Sequence, residues 1–145
     1  MRAAAYIRIP TRKEANDSLD EYKEQVTSFC RRKGYDLLAL IEVVGSSPKL
    51  EELGIEKIME LAKKKLVDVL ILPNLYMISR SMPKSGAVLH ELLEHGVETE
   101  CIEFELLEYD VWQEYKDSVR KMKETENVKK GTVVPVFILN FGRSV

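Results

Sequence analysis

Six residues, VDVLIL from Val67 to Leu72, constrain the fold more than any other stretch. A nearly unbroken run of β-formers at strand length has no polar face to turn toward water, so it fits a central strand covered on both sides. RAAAYIRI (2–9), DLLALIEVV (36–44) and VETECIEF (97–104) are also strand-like, and segments with helical spacing lie between them. Strands alternating with helices point to an α/β fold of three layers, a mostly parallel sheet flanked by helices.

The intervening segments carry helix signals. Ser18 followed by Glu21 forms a capping box, opening a helix whose Leu19, Tyr22, Val26, Phe29 and Cys30 share a face and whose stop is Gly34. GSSPK is turn-forming, and a second helix is expected from Glu51 to Lys65, with Ile55, Ile58, Met59 and Ala62 as its apolar set. Its acids come early and Lys63, Lys64 and Lys65 come late, which suits the helix dipole and reads as a solvated last turn. A third helix is expected from about Pro83 to His95, stopped by Gly96, with surface or capping roles for His90 and His95.

Residues 110–130 read as an amphipathic helix through Val111, Tyr115, Val119 and Met122, with Trp112 as a packing anchor. TVVPVFILNF (132–141) is a strong β-former interrupted by Pro135, hence an edge strand that its own sheet or a partner subunit must cover. Residues 1–105 therefore read as the α/β domain, and 106–145 as a C-terminal extension of it, one helix and one edge strand.

Composition removes several function classes. The 145 residues suffice for one buried core. With 22 basic and 24 acidic residues the net charge is -2, which argues against the basic surface that non-specific DNA binding requires. Cys30 and Cys101 have no metal-ligand spacing and only two histidines accompany them, so neither a metal nor another cofactor is expected. No apolar run approaches the roughly 20 residues of a membrane span, and no signal-peptide pattern opens the chain, so a cytoplasmic protein is expected. PTRKEAND, after the first strand, contains no glycine and offers no phosphate-cradling loop of the nucleotide-binding type. The loop NLYMISRSM lies at the C-terminal end of the central strand, the edge where open parallel sheets gather ligands.

Four ordered segments, YIRIPT, SLDEYKEQVTSFCRRKGY, GSSPKLEELGI and VDVLILPNLYMISRS, resemble the N-terminal catalytic domain of the serine recombinases, the resolvase and invertase family. The likeness covers about the first 105 residues. In that family a Tyr-x-Arg-x-Ser strand delivers a serine that attacks a DNA phosphodiester, and arginines stabilise the transition-state charge. By this resemblance Arg8 matches the family arginine, while Pro10 stands at the position of the nucleophile and offers no hydroxyl. In LYMISR, Tyr76 and Met77 replace an Asp and an Arg of the family loop, and Arg80 keeps its last arginine. Glu52 stands where the family has an arginine, and Tyr22 where it commonly has a glutamine.

The resemblance thus implies a resolvase-like fold whose strand-transfer chemistry is gone, with Arg8 and Arg80 as remaining phosphate-binding candidates. It also implies a homodimer, or a pairing with a related recombinase subunit, in which DNA is a secondary partner. The competing expectation is an active recombinase with a displaced hydroxyl, Thr11 first and Ser79 or Ser81 beside Arg80 next. Thr11 is one residue out of register, which on an extended chain turns its side chain to the opposite face.

Overall fold

The computed structural model describes residues 1–105 and 109–126. Among the described residues four strands, β1 (Arg2–Ile9), β2 (Asp36–Val44), β3 (Val69–Leu72) and β4 (Glu98–Cys101), form one sheet in the order β2-β1-β3-β4. Every neighbouring pair is parallel. The helices are α1 (Arg12–Lys33), α2 (Pro48–Lys63), α3 (Met82–Glu94), α4 (Ile102–Glu105) and α5 (Tyr109–Glu126), and a 3-10 turn spans Leu75–Met77.

The strand order dictates the layers. β2 lies on one side of β1 and β3 on the other, so the chain changes direction across the sheet after β2. Right-handed crossovers then place α1 on one face and α2 on the opposite one. The side chains agree. Lys23 of α1 pairs at 2.9 Å with Glu42, which stands beside Ile7, whereas Gly54 of α2 lies against Tyr6 on the other face. β3 to β4 continues in the new direction, and α3 packs beside α2.

The core follows from the central strands. Val69, Leu70, Ile71 and Leu72 are all buried, as their continuous apolar pattern requires. In β1 the small residues Ala3, Ala4 and Ala5 are buried together with Tyr6 and Ile7, while Val26, Phe29 and Cys30 of α1 add to the same core. The two cysteines are free and buried, and burial pushes the Cys101 thiol up to about 12.

Several boundaries differ from the sequence reading. The first helix starts at Arg12, not at Ser18, because Thr11 caps it: the Thr11 hydroxyl accepts from the Glu14 N–H at 3.1 Å. Thr11 and Glu14 are themselves a capping-box pair, and they outrank the one further along. The second helix begins at Pro48 rather than Glu51, with Ser47 accepting from the Leu50 N–H at 3.2 Å and proline in the first turn, where it needs no donor. The fourth strand stops at Cys101, since residues 102–105 turn into α4 and bury Phe104.

His90 is buried rather than a surface residue, and its Nδ1 lies 3.2 Å from Glu94 one turn along α3. His95 takes the C-cap position of α3. In the lysine run, Lys64 pairs with Glu60 at 2.8 Å, and Lys65 donates to the His95 carbonyl at 2.7 Å. Residues 127–145, including the expected edge strand 132–141, lie outside the described residues.

Candidate active site

β1 and β3 are neighbours whose following segments leave for opposite faces, β1 into α1 and β3 toward α3. Such a reversal opens a crevice outside the carboxyl ends of the two strands. Arg8 and Pro10 arrive there from β1, and Met77, Ser79 and Arg80 arrive from the segment after β3. The two sides are joined directly, as the Arg8 N–H donates to the Met77 sulfur at 3.2 Å.

Tyr6 and Arg8 alternate onto the α2 face of β1, and α2 meets each with a particular residue. Gly54 sits against the Tyr6 ring, so closely that a Cβ there would overlap the phenol oxygen. One turn earlier, Glu51 faces Arg8, with Oε2 3.8 Å from Nη1. The Arg8 side chain is only 7 % exposed and that of Glu51 15 %, so this pair is screened from water. Lys84, from the first turn of α3, brings its ammonium to 2.9 Å from the other carboxylate oxygen of Glu51. Burial raises the Glu51 carboxyl, but hydrogen bonds from Lys84 and Ser79 and the charges of Lys84 and Arg8 outweigh it and hold the group below its ordinary value.

The Tyr6 hydroxyl is buried beside this cluster and has no hydrogen-bond partner among the described residues. Burial pushes it up to about 12, with Arg8 acting to lower it and Glu51 to raise it. It is neutral at physiological pH, a buried phenol available as a donor.

The hydroxyls near Pro10 are committed elsewhere. Thr11 caps α1 and is exposed. Ser81 caps α3, accepting from the Lys84 N–H at 3.3 Å. Ser79 is buried and accepts from the Ser81 N–H at 3.1 Å.

Of the residues singled out by sequence, Arg8 and Met77 are in contact at the carboxyl end of the sheet, and Pro10 follows Arg8 by two residues. Arg80 is exposed and has no ion pair among the described residues, and Tyr76 is also exposed. Glu52 is exposed, and its neighbour Glu51 is the acid that faces Arg8. Helical periodicity carried the signal: 51, 54, 58 and 62 lie on one face, and Gly54, Ile58 and Ala62 are buried. Nothing local marked Lys84, because its partner lies 33 residues away in the chain. Among the described residues no group of three His, Cys, Asp or Glu side chains is placed to hold a metal ion.

Residues 3–125 match the family model for the resolvase N-terminal domain. The chain belongs to the resolvase family. Solved structures carry the same fold at low identity. The C-terminal catalytic domain of ISC1926 TnpA, an IS607-like serine recombinase, is 18% identical with a TM-score of 0.64, over 88% of this chain and 86% of that one. The N-terminal catalytic domain of TP901-1 integrase gives 13% identity and a TM-score of 0.62, over 90% and 99%. A resolvase family site-specific recombinase from Streptococcus pneumoniae gives 18% identity and a TM-score of 0.66, over 88% and 91%. No curated protein matches the chain by sequence. The family match runs into α5, past the 105 residues on which the sequence motifs rest. Among the described residues no helix is long and apolar enough to cross a membrane.

Proposed function

We propose that this resolvase-family domain has lost strand transfer and works as a binding or assembly module in the cytoplasm. The observation that carries this reading is Pro10, two residues beyond Arg8 in the crevice, where the family's Tyr-x-Arg-x-Ser strand places its nucleophile. Without a hydroxyl at that position the covalent phosphoserine route has no first step. Removing even one transition-state donor costs about 3 kcal/mol in comparable sites, and here Tyr76 and Met77 replace two further polar residues.

The neighbouring hydroxyls give the rival reading little support, because Thr11 and Ser81 cap helices and Ser79 is buried against Glu51. Arg8 and Arg80 are the candidate phosphate contacts that remain. The assembly we favour is a homodimer or a pairing with a related recombinase subunit, using the helix that follows the fourth strand. Residues 106–145 belong, in this reading, to the same domain. Burial of Tyr115 and Val119, packing of α5 on α3, and the 3.2 Å Arg120–Glu98 pair support that assignment.

The test is incubation with nicked and supercoiled DNA, followed by denaturing electrophoresis for a protein–DNA adduct. No adduct is expected. An adduct that disappears in Thr11→Ala, Ser79→Ala or Ser81→Ala would establish the displaced-nucleophile enzyme instead.

A further inference from the structure

Glu51 is held at Arg8 by more than Arg8 itself. Each carboxylate oxygen has its own cation, Arg8 at 3.8 Å on Oε2 and Lys84 at 2.9 Å on Oε1. Ser79, buried nearby, also acts to lower the carboxyl, and its hydroxyl accepts from the Ser81 N–H. Lys84 stands in the first turn of α3, where the positive end of the helix dipole disfavours a cation, so its place there is best explained by the acid it faces. Next to the cluster is the Tyr6 phenol, fully buried and without a hydrogen-bond partner among the described residues.

Two cations thus hold one carboxylate between them. Guanidinium, ammonium and hydroxyl donors are the groups that bind a phosphate oxygen. A carboxylate satisfies them equally well in charge, and being tethered it competes at a high effective concentration. An incoming phosphate must either displace it or lie against a like charge.

We propose that Glu51 is a built-in occupant of an anion pocket, taking at Arg8 and Lys84 the place of a phosphate group, so that the pocket refuses external phosphate until Glu51 is neutralised. This rests on the reading above in one respect, that Arg8 marks the phosphate position. It adds a second barrier to DNA cleavage, independent of the missing nucleophile. Restoring a serine at position 10 alone would then leave the phosphate unable to reach Arg8.

Thermal denaturation of the full chain across a series of inorganic phosphate concentrations, at constant ionic strength, tests this. The wild-type Tm is expected to stay level. Glu51→Gln, nearly isosteric but uncharged, is expected to start lower and to climb with phosphate by mass action. Phosphate NMR line broadening should then show binding at least about tenfold tighter than to the wild type. A folded Glu51→Gln protein whose Tm ignores phosphate overturns the proposal, as does a wild-type Tm that rises equally.

Should two unopposed cations prevent Glu51→Gln from folding, added phosphate must restore its fold by taking the carboxylate's place between Arg8 and Lys84, and a chain that stays unfolded across the phosphate series overturns the proposal. The two ideas fail separately. A silent phosphate series leaves the loss of the nucleophile untouched, whereas the inactive reading is judged by the DNA adduct and not by Tm.

Discussion

β1 carries an arginine near each end, and the two are used in opposite ways. Arg2 grips Asp68 with textually ideal geometry: Nη2 to Oδ1 at 3.0 Å, Nε to Oδ2 at 3.1 Å, and its own backbone N–H to Oδ2 at 2.9 Å. Arg8 meets Glu51 at a looser 3.8 Å. Yet the Arg2 and Asp68 side chains are 47 % and 39 % exposed, while those of Arg8 and Glu51 are 7 % and 15 % exposed. Water competes for the first pair and is largely kept from the second, so burial rather than distance decides which matters more.

The largest effect expected from this difference is in stability. Arg8→Ala removes a buried side chain and its charge and leaves Glu51 with Lys84 alone, a loss of about 3 kcal/mol at the lower end of what breaking a buried pair costs. Arg2→Ala removes the better-shaped pair and is expected to cost much less. Urea denaturation of the two variants reads this directly. Equal losses would break the comparison and show that the C-terminal end of β1 is not the sensitive one.

A smaller effect sharpens what lies just beyond Arg8. Thr11→Ala deletes the N-cap of α1 and should cost about 1 kcal/mol, with no change in any DNA-linked signal. The same denaturation series measures it. A Thr11→Ala protein as stable as the wild type would mean that the hydroxyl is free for another task, and would reopen the displaced-nucleophile enzyme.

The two ends of β1 also show how far the sequence could be read. The sheet was legible because a strand buried on both faces, such as VLIL, cannot hide its composition, and because helices of 13 residues or more repeat their apolar face several times. Helix starts were less legible. Thr11 and Ser18 both head a capping-box pattern, and only the crossover from β1 shows that the first is used. At the site, Arg8 and Pro10 were legible by resemblance, since strand alternation fixes their spacing. Glu51 was not singled out, because its role depends on the face of α2 that is turned toward β1. Lys84 was invisible, because its meaning depends on α3 packing beside α2, a tertiary fact with no local trace.

The smallest effect separates the pairs by pH. Hydrogen bonds from the Arg2 side chain, then from its backbone N–H, hold the Asp68 carboxyl down at about 2. A folded value below the unfolded one of about 3.9 means that the contribution to stability is complete above that unfolded value. It is lost as pH falls from there through about 2. Glu51 is depressed as well, so its contribution also disappears on the acid side. Salt distinguishes the two, because it screens the exposed Arg2–Asp68 pair and reaches the buried one far less. Carboxyl-detected NMR titration should therefore place Asp68 at about 2 in low salt, and shift it upward in high salt and in Arg2→Ala. A midpoint that stays put in Arg2→Ala would show that something other than Arg2 holds the proton off, and the N-terminal end of β1 would need a different account.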